Sequence, residues 1–175
     1  ALSRTLIRTY AVEYDSQPEV VLSAANRRIL MDIHYSMFVT VFYGILDPAS
    51  GTLTYCNAGH NPPYLISARN DNGVQALYRT GIALGILDDA TWEHEAVQLA
   101  PGNVLLLYTD GITEAQDQRG AFFGEKRLLE TVQARQGHLA QEIQDALIAE
   151  VYEFMGEAPQ FDDITLMVVV RGLTE

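Results

Sequence analysis

The feature that most constrains the fold is an unbroken apolar run, Leu105 to Tyr108, that passes directly into Thr-Asp-Gly. A run of this kind, without alternating polar residues, indicates a strand that is covered on both faces. Gly111 interrupts the pattern, so the strand is expected to end before it, close to Asp110. A carboxylate at the end of a buried strand, with a flexible residue behind it, is well placed to hold a metal cation.

The rest of the chain alternates between helical and strand patterns in an order that indicates the fold class. Apolar residues recur at helical spacing near the start and again between Glu125 and Met155. Between these regions, β-branched and aromatic segments separated by short turns predict strands. The predicted strands cover residues 37–47, 52–58, 62–67, 73–79, 91–99, 104–108 and 161–171. This order predicts a single α+β domain over residues 1–175, with helices covering mostly antiparallel sheets.

Composition and charge exclude several classes of protein. The chain has 11 Lys and Arg against 23 Asp and Glu, a formal charge of −12, whereas nucleic-acid binding needs a basic surface. No apolar run approaches the ~20 residues of a membrane-spanning helix, so no membrane contact is expected. Cys56 is the only cysteine, which excludes a disulfide framework and a thiolate metal site and favours the reducing cytoplasm.

Acidic residues also flank a second apolar strand, at its opposite end. Asp162 and Asp163 come just before the last predicted strand, whereas Asp110 lies where its own strand ends. If the two strands are antiparallel neighbours, the three carboxylates share one edge of the sheet. Glu114 shares a face with Asp110 if residues 110–114 form a helical turn. Oxygen ligands without His or Cys favour Mg²⁺ or Mn²⁺ over zinc.

A simpler interpretation of these acidic residues is open as well. Asp is a common turn residue, so Asp110 could start a turn and Asp163 could cap a strand. Glu114 would then be a solvated side chain without a ligand. Residue type and spacing alone favour this second interpretation.

Other catalytic patterns are absent or incomplete. The segment after Cys56 has Pro62 where a cysteine-dependent phosphatase needs its phosphate-binding Arg. Neither a nucleophile elbow nor a phosphate-binding glycine-lysine loop occurs in the sequence. His60 and Asn61 lie in the segment NAGHNPP, whose composition suggests a loop at a substrate site. The alternative is a hairpin corner in which the His60 imidazole satisfies backbone groups.

Four segments occur in the order and approximate spacing of a known family: MFVTVFYGILDPASGTLTYCNAGHNPPYL, TGIALGIL, LLLYTDGITEAQD and FDDITLMVVV. Over nearly its whole length the chain resembles the metal-dependent type 2C Ser/Thr protein phosphatases, specifically the bacterial SpoIIE and RsbU subfamily. The resemblance implies two stacked, mostly antiparallel β-sheets flanked by helices, an α-β-β-α sandwich with two Mn²⁺ or Mg²⁺ ions. It implies that Asp110 and Asp162 are metal ligands. Asp163 would have a secondary role, and Glu114 matches an acidic ligand of a further, weaker metal.

The activity implied by this resemblance is hydrolysis of phosphoserine and phosphothreonine in proteins. Two divalent ions about 3.5–4 Å apart can share a water, lower its pKa and hold the phosphoryl oxygens, so no protein nucleophile is needed. The subfamily regulates sigma factors, which implies a phosphorylated regulatory substrate of the anti-anti-sigma type and an upstream sensor or regulatory domain. A non-catalytic pseudophosphatase that docks a partner through the same scaffold is the alternative.

The sequence departs from the family at its first motif. Members carry an upstream Gly-Asp-x-x-G-x-G segment whose Asp bridges both metals, and no Gly-Asp pair occurs in these 175 residues. The chain is therefore expected to be N-terminally truncated, without the first strands and the first metal motif. Metal binding and activity of the chain alone should then be weak or absent. An exposed sheet edge would follow, at which a second copy could pair to form a homodimer.

Overall fold

The computed structural model describes residues 2–14, 17–32, 38–68 and 73–172. Every pair of neighbouring strands in these ranges is antiparallel, and helices lie before and after the main run of strands. The α+β class and the antiparallel sheets are therefore confirmed. Among the helices of the described ranges, none combines the length and apolar character needed to cross a lipid bilayer. In chain order the elements are α1 (Leu2–Glu13), α2 (Pro18–Asp32), β1 (Val41–Leu46), β2 (Thr52–Ala58), β3 (Tyr64–Ile66), β4 (Val74–Ala76), β5 (Glu95–Gln98), β6 (Val104–Tyr108), α3 (Asp110–Thr113), α4 (Gly124–Gln133), α5 (Ala140–Met155) and β7 (Leu166–Val170).

The chain divides into two compact units. The first unit comprises Ala1–Pro62 and Leu77–Gln98, and the second comprises Pro63–Ala76 and Leu99–Glu175. Each unit has a sheet of its own and a separate cluster of buried apolar residues. Of the segments expected to be structured, Met37 and the turn residues 69–72 lie outside the described ranges.

The first unit contains a three-stranded sheet in the order β1-β2-β5, accompanied by helices α1 and α2. Strands β1 and β2 form the predicted hairpin, with Val41 opposite Ala58 and Leu46 opposite Leu53. The inner face of α2 packs against buried residues of β2 because its apolar positions recur at helical spacing. The core of this unit consists of Leu22, Ala25, Ile29, Cys56, Ala58, Leu84 and Trp92.

The second unit contains a four-stranded sheet in the order β4-β3-β6-β7, and α4 and α5 belong to the same core. Strand β6 lies between β3 and β7, so its continuous apolar run is buried as the sequence predicts. The largest fully buried residues of this unit come from β3, β6, α3, α4, α5 and the loop before α4. They include Ile66, Leu106, Ile112, Phe123, Leu128 and Ile143.

Strands β1, β3, β4, β5 and β7 are shorter than the sequence pattern predicts, and for β5 and β7 a specific contact explains the difference. Strand β5 does not include Trp92, because the indole is buried and its Nε1 donates to the Ile82 carbonyl oxygen at 2.8 Å. Strand β7 begins at Leu166 because the backbone just before it bonds to Thr109. Alternation of residue type cannot reveal either contact, since both partners are distant in sequence.

The single cysteine provides a test of the first unit's core. Cys56 in β2 is fully buried, and its Sγ donates to the Glu93 carbonyl oxygen at 3.2 Å. Burial raises the pKa of the Cys56 thiol to about 12, because the thiolate would lose its hydration. At about pH 8 the thiolate fraction is then only ~10⁻⁴, so labelling by a disulfide reagent should be at least ~10³-fold slower than in denaturant. Rapid labelling of the native protein would contradict the buried position of β2.

Candidate metal centre

The two acidic segments that the sequence places at one sheet edge are neighbours in the second unit. Strands β6 and β7 are antiparallel partners, with Leu105 opposite Val169 and Tyr108 opposite Leu166. The end of β6 therefore coincides with the start of β7. The two strands are thus antiparallel neighbours, which is the condition under which Asp110 and the Asp162–Asp163 pair share one edge of the sheet.

Thr109 joins the two segments by hydrogen bonds. Its backbone N–H donates to the Thr165 carbonyl oxygen at 3.0 Å. Its hydroxyl Oγ1 donates to the Asp163 carbonyl oxygen at 2.9 Å and accepts from the Thr165 N–H at 3.1 Å. One threonine thus fixes the backbone before Asp110 against the backbone of Asp163.

Gly111 makes the closest approach between the segments. The residue is buried, and a Cβ at this position would overlap the carbonyl oxygen of Asp163. Its φ angle is not in the left-handed region, so the glycine is required by space rather than by backbone conformation. The sequence analysis treats Gly111 as a flexible residue, and the structure adds a spatial reason for the glycine, since it lies within a helical turn against the Asp163 backbone.

Asp110 and Glu114 share that helical turn. Helix α3 starts at Asp110, and the Glu114 N–H donates to the Asp110 carbonyl oxygen at 2.8 Å. Both side chains are exposed, and residues four apart in a helical turn lie on one face. The helical-turn condition that relates the two carboxylates is confirmed.

Asp162 lies on the segment that leads into β7. Its Oδ1 accepts a hydrogen bond from the Asp163 N–H at 2.7 Å, and Gln160 Nε2 donates to its carbonyl oxygen at 2.7 Å. Asp162 and Glu114 both line a small cavity of about 70 Å³ beside Gly111. Asp163 also takes part through its backbone, because its carbonyl oxygen accepts a hydrogen bond from the Thr109 hydroxyl.

The donor atoms at this edge suit a divalent cation in kind but not in number. Exposed carboxylates without sulfur ligands are what Mg²⁺ and Mn²⁺ prefer in proteins. In the parts of the chain that the structure describes, however, no three His, Cys, Asp or Glu side chains are close enough together to hold one ion. A complete centre at this position therefore needs at least one further ligand.

His60 and Asn61 belong to the first unit, in the loop that follows β2. The His60 N–H donates to Asn57 Oδ1 at 2.9 Å, and Thr40 Oγ1 lies 3.4 Å from His60 Nδ1. The loop is therefore held by the Asn57 side chain. The carboxylates described above all lie in the second unit.

One structurally important residue near the metal-centre candidates is not singled out by the sequence analysis. Asp117 Oδ1 accepts from the N–H groups of Ala121 and Arg119, at 2.9 and 2.8 Å. These hydrogen bonds hold the pKa of Asp117 below its ordinary value, and the bond from Ala121 has the largest effect. They fold the loop after α3, and the turn signature Asp117 to Gly120 is the signal that could have revealed it.

Comparison with known proteins agrees with this arrangement of motifs. The sequence model of the family described as Stage II sporulation protein E (SpoIIE) matches residues 1–172. Phosphoserine phosphatase RsbU of Bacillus subtilis is 31% identical, over 98% of this chain and 51% of RsbU.

Solved structures share the fold of the chain. The SiaA-PP2C domain of Pseudomonas aeruginosa has a TM-score of 0.81 and 25% identity, covering 95% of this chain and 66% of that one. The phosphatase domain of the cell fate determinant SpoIIE of Bacillus subtilis, in a Mn-presoaked crystal, has a TM-score of 0.66 and 19% identity, covering 99% and 74%.

The chain spans only part of its relatives, 21% and 51% of the lengths of the first two curated proteins it matches. Within the chain itself the match is nearly complete, because the family model covers all but the last three residues. The same family is indicated by the motifs around Asp110 and Asp162, by the antiparallel sheets and by the relatives. The chain belongs to the SpoIIE family of PP2C-like domains.

Proposed function

We propose that the chain belongs to a metal-dependent protein phosphatase that removes phosphate from serine or threonine. The observation that carries this proposal is the fixed contact between Thr109–Gly111 and Asp163, which holds two acidic segments together at the end of a buried strand. A solvated turn needs no such fixation. The name of RsbU, a phosphoserine phosphatase, supports the reaction, and the Mn-presoaked SpoIIE domain supports the metal.

Asp110 and Asp162 would hold Mn²⁺ or Mg²⁺ in this proposal. Asp163 would act mainly through its backbone carbonyl, and Glu114 would hold a further, weaker ion beside Asp162. Bound ions would supply Lewis acidity to the attacking water and the phosphoryl oxygens. The remaining ligand is proposed to come from the Gly-Asp motif of the family, in residues upstream of Ala1, because these 175 residues contain no Gly-Asp pair.

The proposed substrate is a phosphorylated regulatory protein of the anti-anti-sigma type, acted on in the cytoplasm. The family and the name of RsbU support this class of substrate. Control by an upstream sensor or regulatory domain is proposed on the same grounds. The competing function is that of a pseudophosphatase, which would dock a partner and hydrolyse nothing.

The decisive experiment compares this chain with the protein extended upstream through the family motif. Binding of Mn²⁺ is followed by calorimetry, and phosphate release is followed on a phosphoserine peptide in Mn²⁺ and in EDTA. We expect tight binding and metal-dependent turnover for the extended protein, and weak binding with little turnover for the 175-residue chain. If the extended protein binds the peptide but neither binds Mn²⁺ nor releases phosphate from the peptide, the result favours the pseudophosphatase.

A further inference from the structure

A polar pocket in the first unit lies outside the acidic motifs. It has a volume of about 270 Å³ and is lined by Gly59, His60, Asn61, Pro62, Tyr78 and Arg79. The side chains of its lining residues include an imidazole, an amide, a phenol and a guanidinium group. Four such hydrogen-bonding groups in one concave surface are typical of a site that binds a small polar group.

The two walls of this pocket are fixed by one buried side chain. Asn57 is fully buried, and its Oδ1 accepts from the His60 N–H at 2.9 Å. Its Nδ2 donates to the Leu77 carbonyl oxygen at 3.1 Å, directly before Tyr78 and Arg79. The Thr80 N–H in turn donates to the Asn57 carbonyl oxygen at 2.9 Å. A buried amide with all these bonds made holds the pocket in shape before any ligand arrives.

Arg79 supplies a positive charge that takes part in none of the ion pairs of the described residues. Its side chain is exposed. None of the residues that line the polar pocket is acidic, although the chain as a whole carries a formal charge of −12. An unpaired guanidinium beside an imidazole and a phenol suits a phosphate group, which accepts two parallel hydrogen bonds from Arg.

A second, apolar groove adjoins this pocket. It has a volume of about 740 Å³, and Gly59 and Arg79 belong to the linings of both. Phe38, Ile86 and Leu87 are 63%, 51% and 52% exposed and line the groove. The acidic residue of the groove, Asp89, is not part of the polar pocket. Arg79 therefore contributes to both the polar pocket and the apolar groove.

We propose that this surface recognises a phosphorylated protein segment, with the phosphoryl group in the pocket and a neighbouring apolar side chain in the groove. Arg79 binds the phosphoryl oxygens, and Asn61 and Tyr78 donate further hydrogen bonds. A positive charge that adjoins apolar surface fits a phosphoserine or phosphothreonine next to a Leu or Ile. The inference rests on the proposed function for its class of ligand, but it concerns recognition and needs no metal.

The test measures binding in EDTA, where turnover cannot contribute. The probe is a short fluorescein-labelled peptide with phosphoserine beside leucine, compared with its unphosphorylated twin and with a serine-for-leucine version, by fluorescence anisotropy. We expect the phosphorylated peptide to bind at least ~10-fold more tightly than either comparison peptide. Arg79→Ala should remove at least ~10-fold of this affinity, and Arg79→Lys should retain part of it. The control is Arg8→Ala, which removes an equal charge from α1 of the same unit and should change binding less than ~2-fold.

Three results would overturn the inference. Equal binding of the phosphorylated and unphosphorylated peptides would exclude a phosphate pocket. An equal loss of affinity in the Arg79→Ala and Arg8→Ala variants would show that only the net charge of the protein matters. Inorganic phosphate that competes as strongly as the whole peptide would contradict a role for the groove. Turnover measured separately in Mn²⁺ distinguishes failure of this inference from failure of the proposed function. A phosphatase without the phosphate pocket still hydrolyses the peptide. An inactive protein that has the pocket still binds the peptide.

Discussion

Asp110→Asn should abolish tight Mn²⁺ binding by the extended protein and lower phosphoserine-peptide turnover by at least about a hundredfold. The substitution preserves the size of the side chain but removes the negative charge that a divalent cation needs. Asp110 is exposed, and the bonds that fix the helical turn use its carbonyl oxygen, not its carboxylate. Stability should therefore change by less than about 0.5 kcal/mol, which thermal unfolding can check.

Two neighbouring variants separate ligand loss from a general effect of charge. Asp162→Asn keeps an oxygen that can accept from the Asp163 N–H, yet it should cause a loss as large as that of Asp110→Asn. Asp163→Asn removes an equal charge one residue further on, but leaves intact the carbonyl oxygen that Thr109 uses. It should retain most of the turnover. If Asp163→Asn is inactive and Asp162→Asn is fully active, the proposed assignment of the ligands is wrong.

Local patterns are sufficient to predict the elements of this chain and much of their pairing. The apolar run at 104–108, the hairpin at residues 41–58 and the two helices before β7 are all confirmed. Each depends on residues close in sequence, where periodicity and turn chemistry act directly. The shared edge of β6 and β7 could be stated only as a condition, because their pairing joins residues about sixty positions apart.

The contacts that give the candidate sites their shape could not be predicted in the same way. Asn57 occurs as an ordinary polar residue in a strand, and only the fold shows that it bonds both walls of the Arg79 pocket. Thr109 precedes Asp110 without any visible reason until Asp163 and Thr165 are placed beside it. Such roles depend on long-range backbone positions, which residue type and spacing do not encode.

Gly111→Ala is the second substitution with a large expected effect. It is expected to lower the stability of the protein, although helix propensity alone predicts an increase. Gly111 lies in α3 with an ordinary φ angle, so helix propensity alone predicts that Ala stabilises by up to about 1 kcal/mol. The new Cβ would instead overlap the Asp163 carbonyl oxygen, a backbone atom that Thr109 holds in place. We expect a net destabilisation of about 1–3 kcal/mol, since the two segments must move apart.

The same movement should reach the proposed ligands, because Asp162 adjoins the displaced residue. In the extended protein, Gly111→Ala should weaken Mn²⁺ binding and turnover together by at least ~10-fold, although no carboxylate is removed. Gly172→Ala is the matched control: no atom of the described residues lies within 4 Å of the added Cβ, and its φ angle is ordinary. Urea unfolding of the two variants beside the parent chain measures the difference in stability. A Gly111→Ala protein as stable and as active as the Gly172→Ala protein would mean that the two acidic segments do not depend on this contact, and the fixed edge would lose its role in holding the metal.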